Sequence, residues 1–442
     1  MIAFVTLFLG LVYGPVLVEL SAAPAVSRIE LFVDGNFVAE VRSPWVTRID
    51  LGPEIVPREL VAVARDGSGS QVGEARQWIN RPRPGAEAGF VIERSARGPG
   101  RTARLHWRCL TGAQPVSLRV SFDGQPLEVT DPARIPLPSY SSGTTHILLA
   151  EIDFADGLSA TAVASLGGEQ QEEALRELTG LPIRLEAKAR LPKGERLDGW
   201  FASAGRTLTT AAVEEGPAEV VFVVAGNAVN DLRALTSELR LPGARTLAGT
   251  IGFTKETGYR FVRTVPSTVE DSRETVRLFP MSRVVTAADG SFLRIAGALD
   301  LAEVYGARRL AEAVAVAGLS AAGLERRRAV VLLLGSGAVE EGSIDAARAR
   351  RYLSRLRVPL FVWSIGREAE GPDSGLPAAG VPGDARPDWP EAVPVSDVFR
   401  FSEAVQALKK GLAAQRIVWV EGRLNPASIE LTPAARGVTL VH

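Results

Sequence analysis

AEVVFVVAGNAVND, residues 218–231, holds five consecutive apolar residues, Val220 to Val224, between Glu219 and the turn formers Gly226 and Asn227. A short unbroken apolar run closed by small turn residues reads as a strand buried on both faces. That is the pattern of a parallel sheet covered by helices. In such sheets ligands collect at the carboxyl ends of the strands. Here that end carries Ala225, Gly226, Asn227, Ala228 and Val229, with no carboxylate, hydroxyl or thiol. The strand is placed to bear a site, and its site positions are empty.

Downstream, strands alternate with helical periodicity, as βαβ units do. A helix is expected near 229–240 and a hairpin near 247–264. Another helix starts at Asp300, with Glu303 spaced as the return partner of a capping box. Ala329–Leu334 reads as a second buried strand and Val358–Ile365 as a third, with a helix capped by Ser343 between them. After a Pro/Gly-rich loop over 371–394, Val398–Phe401 reads as a short strand, Ser402–Gln415 as a helix and Arg416–Glu421 as an edge strand. Pro182–Ala212 suggests a small β lead-in.

Upstream the pattern is all-β and repeats. Arg28–Val33 alternates, turns at Asp34-Gly35 and returns through Phe37–Val41; Asp-Gly between alternating runs is a strong hairpin signal. Ser117–Phe122 does the same at Asp123-Gly124. Asp34 and Asp123 are 89 residues apart, and Asp66 and Asp156, each opening a later Asp-Gly turn, are 90 apart. Constant spacing of paired turns indicates a tandem repeat of one sandwich unit. The stretches 26–85 and 88–165 resemble bacterial immunoglobulin-like domains, joined by Arg81-Pro82-Arg83-Pro84-Gly85 as a stiff linker.

With 442 residues, 46% apolar and 23% charged, the chain is long enough for several globular domains. A net charge of −1 argues against a nucleic-acid or acidic-membrane partner. Residues 1–25, an apolar run followed by Ser21-Ala22-Ala23-Pro24-Ala25, read as a signal peptide or an uncleaved N-terminal membrane anchor. Export to periplasm, envelope or extracellular space follows from that reading. Cys109 shares a strand face with Leu105 and Trp107 and is expected as a core thiol.

The C-terminal part, 182–425, resembles a von Willebrand factor type A domain of the exported bacterial "VWFA-related" group. The residues that carry this are VVFVV (220–224), VYGARRLAEAV (304–314), RRAVVLLL (327–334), YLSRLRVPLFVWSIG (352–366) and VFRFSEAVQALKKGLAAQRIVWV (398–420). The resemblance implies a doubly wound, Rossmann-like α/β domain after two immunoglobulin-like sandwiches, with 426–442 as a C-terminal tail. It also implies a divalent-cation site built from Asp-x-Ser-x-Ser, a Thr and a later Asp. Those positions fall on Ala225, Asn227, Val229, Ala302 and Gly335. Hard cations need several oxygen ligands, so neither Mg²⁺ nor Mn²⁺ is expected. The alternative is a site from replacement ligands, Asn227, Asn230, Asp231 and Ser336.

Three other features resemble sites and have plainer readings. Asp66-Gly67-Ser68-Gly69-Ser70 matches Asp-x-Ser-x-Ser inside the first sandwich, where it reads as a turn. Glu340, Glu341 and Asp345 read as the acidic start of a helix. His106, expected to face solvent, His146 and Cys109 have no recognisable nucleophile elbow or orienting partner. The expected function is a non-enzymatic exported binding or scaffold protein with a protein partner in the cell envelope. A divalent-metal-dependent adhesion module is the alternative.

Overall fold

The structure, a computed structural model, describes residues 2–6, 11–81, 86–94, 101–109, 114–141, 144, 146–155, 159–166, 178–186, 191, 197–237, 257–270, 275–282, 284–286, 308–323, 326–366, 385–422 and 424–442. In the first sandwich, β1 (Ile2–Phe4), β2 (Pro15–Ala22) and β5 (Val46–Asp50) form one antiparallel sheet in the order β1-β2-β5. Its second sheet has β3 (Arg28–Val33), β4 (Asn36–Val41), β6 (Arg58–Arg65) and β7 (Gln71–Ile79) in the order β4-β3-β6-β7. The next module repeats this strand for strand. β8 (Ala86–Arg94), β9 (Arg101–Cys109) and β12 (Ile135–Pro136) run in the order β12-β9-β8. β10 (Pro115–Phe122), β11 (Gln125–Leu127), β13 (His146–Phe154) and β14 (Ser159–Leu166) run in the order β11-β10-β13-β14. Both are immunoglobulin-like or fibronectin III-like sandwiches.

The repeat is held in register by one turn device. Asp34 and Gly35 have φ of 50° and 79°, and Asp123 and Gly124 have 50° and 75°, as a two-residue primed hairpin turn requires. Each aspartate amide donates to the neighbouring strand, Asp34 to Glu59 O and Asp123 to Ile147 O. Each carboxylate accepts the amide of that same residue, Glu59 N or Ile147 N, at 2.9 Å. The second carboxylate oxygen meets the preceding basic side chain, Arg58 at 3.2 Å and His146 at 2.6 Å.

The N-terminal stretch departs from the leader reading. Pro15–Ala22 alternates, with Val16, Val18 and Leu20 buried in the first core beside Ile29 and Leu31. Leu17 and Ser21 are exposed. Period-2 burial is strand behaviour, whereas a leader or spanning helix is apolar all round. Residues 2–4 and 15–22 therefore belong to the first sandwich, which does not start at 26. Among the described residues no helix is long and apolar enough to cross a membrane.

The C-terminal half is two units, one inside the other. β15 (Leu178–Leu185), β16 (Phe201–Ser203) and β18 (Thr210–Glu214) pair with β26 (Gln415–Glu421), β27 (Ile429–Leu431) and β28 (Val438–Leu440), and β17 (Arg206–Thr207) pairs with β16. The sheets β18-β26-β15-β28 and β17-β16-β27 enclose Leu181, Ile183, Phe201, Val418, Val420 and Ile429. This third β unit corrects two boundaries: 426–442 is not a tail, and the α/β unit does not reach 182 or 425. β26, expected at an edge, lies between β18 and β15.

Between its halves sits the α/β unit. β19 (Ala218–Ala225), β20 (Thr257–Arg263), β23 (Arg327–Leu334), β24 (Leu360–Ile365) and β25 (Val393–Val395) form a parallel sheet in the order β20-β19-β23-β24-β25. Antiparallel bridges from Tyr259 to Val285 and from Val262 to Met281 lie along β20. A hairpin of β21 (Ser267–Glu270) and β22 (Thr275–Leu278) accompanies them. α1 (Ala228–Ser237) and α4 (Val398–Ala413) cover the face holding Val220, Phe222 and Val224. α2 (Leu310–Ala322) and α3 (Ala346–Arg355) cover the face holding Val221, Val223 and Ala225. Both faces are buried, which is why the run does not alternate.

Three local expectations change. Val398–Phe401 is the first turn of α4, because the Asp397 carboxylate caps Phe399 N and Arg400 N at 2.8 and 2.9 Å; the strand is β25, just before it. The cap of α3 is Asp345, accepting from Arg348 N at 2.6 Å, and Ser343 instead donates to Glu312. Of the hairpin expected over 247–264, the described part is β20. Asp300 and Glu303 lie outside the described residues.

The units are knit together. Tyr352 of α3 is buried and donates to Asn80 O at the end of the first sandwich, at 2.9 Å. Burial pushes its phenol far above the ordinary range. Arg351 grips Glu54 through two nitrogens, at 2.7 and 2.9 Å, and Ile55 is fully buried in the α/β core. Tyr352→Phe should destabilise the chain by about 1–3 kcal/mol, because Asn80 O is left without its partner in a dry site. Urea unfolding of the two proteins measures it, and equal midpoints would mean that water replaces the hydroxyl.

Candidate functional site

The carboxyl edge of the parallel sheet is closed by its own backbone. Gly226, at φ 59°, turns the chain from β19 into α1. Asn227 N donates to Ser336 O at 2.9 Å and Gly335 N to Ala225 O at 3.0 Å, so the loops after β19 and β23 zip together. A Cβ on Gly335 would stand 2.0 Å from Ala228 N and 2.5 Å from Ala228 Cα. No side chain fits there.

Of the five positions where the type A resemblance places ligands, Ala225 and Val229 are buried without an oxygen, Gly335 has no room for one, and Ala302 lies outside the described residues. Asn227 is exposed at the loop. Of the replacement set, the structure brings together Asn227, Asp231 and Ser336. Asp231, in the first turn of α1, accepts Ser336 N at 2.7 Å and Ser336 Oγ at 3.3 Å, and Asn227 Nδ2 lies 3.3 Å from the same hydroxyl. Asn230 faces elsewhere and accepts from Arg233 at 3.3 Å. The Asp231 carboxylate thus links the two loops directly. Among the described residues no group of three or more His, Cys, Asp or Glu is arranged to hold a metal ion.

The remaining features take structural positions. Glu340 accepts from Ala311 N and Gly342 N, both at 2.6 Å, and so caps α2. Burial pushes its carboxyl above the usual range against those two amides. Glu341 accepts from Arg308 N at 2.6 Å. The Asp66 carboxylate is used by Ser68 and by Ser70 N within its own turn, and the Ser68 hydroxyl leads these contacts in holding its pKa down. His106 is exposed, and Cys109 closes β9 with its side chain outside the described set. His146 does have an orienting partner, which corrects the sequence reading: Nδ1 meets Asp123 at 2.6 Å, while Nε2 lies 3.0 Å from Thr144 Oγ1 and 3.0 Å from Ser141 O.

Sequence reasoning missed the charged seam at the opposite edge of the sheet. Glu219 is 0% exposed, Arg326 2% and Glu151 4%. Arg326 bridges Glu151 at 2.5 Å and Glu219 at 3.1 Å; Glu219 also meets Arg260 at 3.0 Å, and Arg119 meets Glu151 and Asp153 at 3.2 and 3.4 Å. Burial opposes the charge on Arg326, and Glu151, Glu219 and Asp153 together outweigh it, so its pKa lies above the ordinary value. Beside the seam, Ile147 and Leu149 of the second sandwich pack on Ile417 and Trp419 of the third β unit. Acids within apolar strands, Glu219 in AEVVFVV and Glu151 and Asp153 in LLAEIDF, were the available signal. Two neighbouring arginines also act inward. Arg327 donates to Gly216 O at 2.7 Å and Leu412 O at 3.3 Å, where the chain enters and leaves the α/β unit. Arg328 donates to Ala322 O and Leu356 O at the carboxyl ends of α2 and α3, where positive charge is favoured.

No protein-family model and no curated protein matches the chain. Among solved structures it is similar to the fibronectin(III)-like modules of Clostridium thermocellum CbhA, at 19% identity over 18% of this chain and 93% of that one, with a TM-score of 0.16. It is similar to the central fibronectin-III array of RIM-binding protein, at 13% identity over 45% and 76%, with a TM-score of 0.18. A third likeness is to SGBP-B of the Bacteroides ovatus mixed-linkage glucan utilization locus, in complex with a mixed-linkage heptasaccharide, at 13% identity over 47% and 57%, with a TM-score of 0.14.

Proposed function

We propose that the chain is a non-enzymatic binding or scaffold protein whose α/β unit is a von Willebrand factor type A domain without its metal. The observation that supports this most is the closed carboxyl edge, where Gly335 leaves no space for a ligand side chain and Asp231 joins the loops that a cation would otherwise bridge. Contacts to a protein partner are then made by surfaces of its modules. An envelope or extracellular setting belongs to the same proposal. It draws on the tandem sandwiches, an architecture common among cell-surface domains, and not on residues 1–25.

Mg²⁺ or Mn²⁺ at millimolar concentration is expected to leave the melting temperature where a monovalent salt of equal ionic strength leaves it. A ligand bound only by the folded state would add about 2.7 kcal/mol at a hundredfold excess over Kd. The second reading, metal-dependent adhesion, is favoured by the exposed Asn227 and Ser336 meeting the Asp231 carboxylate. A rise of several degrees that is lost on Asn227→Ala would decide for it. Pull-down from cell-envelope extract would then address the partner.

A further inference from the structure

The two sandwiches leave the same sheet face in different states. In the second, β13 turns Ile147, Leu149, Glu151 and Asp153 outward, and all four are buried: the first two lie on Ile417 and Trp419, and Glu151 meets Arg326. β6 is the matching strand of the first sandwich, because Glu59 and Ile147 take the same place beside the Asp34 and Asp123 turns. Its outward residues are Glu59, Val61, Val63 and Arg65, each half-buried, while Leu60, Ala62 and Ala64 fill the core. Read in order, these are acid, valine, valine, base, and the reverse order is the complement of the same series. On β7, Arg76 stands beside Val61 and Glu74 beside Val63. On β3, Phe32 stands beside Val61 and touches the exposed Phe37 edge-on, with centroids 5.8 Å apart.

We propose that this outer face of β4-β3-β6-β7 docks a second copy of the chain, about a twofold axis that lies in the interface and crosses β6 between Val61 and Val63. An interface between identical patches must be self-complementary. This axis lays Val61 on Val63 of the second copy, Glu59 on its Arg65, Arg76 on its Glu74 and, from β3, Arg28 on its Asp34. Phe32 falls on Glu30 of the second copy, whose carboxylate is held within its own sheet by Arg65 at 2.8 Å. Glu30, Glu40, Glu59 and Glu74 are each paired with an arginine before docking, so none enters the interface as a lone charge. With strands about 4.8 Å apart and outward residues about 6.7 Å apart, four strands by four residues cover roughly 500 Å² on each copy. The total, about 1,000 Å², is the lower bound for a specific interface, so the dimer is weak, with a Kd on the order of 10 µM. The bulk of the chain joins the first sandwich at the Glu59 end, where Asn425 donates to Pro57 O and Tyr352 to Asn80 O. The axis sends the second copy's bulk to the other end, clear of the first.

The test is sedimentation equilibrium of the full chain over roughly 1–200 µM, where the average mass should climb from that of one chain toward that of two. Glu59→Arg sets like charges against Arg65 twice across the axis, and Arg65→Glu does the same against Glu59. Each variant alone should associate at least about tenfold more weakly than the natural chain. Mixed in equal amounts, the two variants again oppose unlike charges at both places, and the mixture should associate within about threefold of the natural chain. Both variants disturb an ion pair inside their own sheet, Arg76 with Glu59 or Arg65 with Glu30. Val61→Lys touches neither pair and should also remain a monomer, with urea midpoints recorded to show that all three fold. A natural chain that stays monomeric at the top of the range overturns the proposal, whatever else the face binds. So does a Val61→Lys chain that associates like the natural one, or a mixture of folded variants that fails to associate.

Discussion

Arg326→Met should cost about 3–5 kcal/mol of stability, the loss expected when one partner of a buried ion pair is removed and the other charges remain. Among the described residues the seam sets Glu151, Asp153 and Glu219 against Arg119, Arg260 and Arg326. Arg326 touches both the second sandwich, through Glu151, and the α/β unit, through Glu219. Methionine fills much of the space yet leaves Glu219, fully buried, with Arg260 as its one charged partner in the seam, and Glu151 with Arg119. Arg326→Met with Glu219→Gln should recover part of the loss, because groups in one network are not additive. Urea midpoints of the full chain measure both, with separate transitions recorded if the modules uncouple. A loss under about 1 kcal/mol would mean that water enters the seam and screens it.

Gly335→Ala should be nearly as damaging, at about 3 kcal/mol, the upper part of the range for overpacking. The atoms in the way are Ala228 N at 2.0 Å, Ala228 Cα at 2.5 Å and Asn227 C at 2.6 Å, all backbone, so no rotamer change relieves them. The loops after β19 and β23 must separate, which breaks the bonds from Asn227 N to Ser336 O and from Ser336 N to Asp231. Gly337→Ala is the control. It meets open space but sits at φ 69°, so its cost should be about 1 kcal/mol, from backbone strain alone. If the two substitutions shift the melting temperature equally, the close approach at Gly335 is not a real constraint. Gly335→Asp, which would place a carboxylate there, should be worse than alanine for the same reason.

The buried strand at 220–224 and the turns at Asp34-Gly35 and Asp123-Gly124 were legible because each has a local cause: an apolar run needs cover on both faces, and a two-residue hairpin needs two positive φ angles; Asp156-Gly157 lies outside the described residues. That Ala225, Val229 and Gly335 carry no side-chain oxygen was legible as residue types. Their closure was not, since nothing in Gly335-Ser336-Gly337 announces which backbone lies against it. The leader reading of residues 1–25 failed because Leu17 and Val18 are equally apolar and only the core distinguishes them. The third β unit escaped notice because its strands lie on either side of a long insertion, and no local pattern records that β15 will find β26. Asp397 outranked the strand-forming Val398 and Phe399 by capping their helix, which is a reminder that one side-chain acceptor can override several residues' propensity.

That insertion has a kinetic consequence. β18 ends at Glu214 and its partner β26 begins at Gln415. On a ribosome adding about 5–20 residues per second, the first half of the third β unit waits roughly 10–40 s for the second half to be made. Closing a flexible loop of that length costs entropy that grows as the logarithm of its length. A folded α/β unit removes most of that cost, because β19 and α4 start and finish next to the strands they join, with Arg327 holding both crossings. The inserted unit should therefore mature first and act as a template for the enclosing one. Slow phases in refolding should report the late pairing of β15 and β18 with β26, not the parallel sheet.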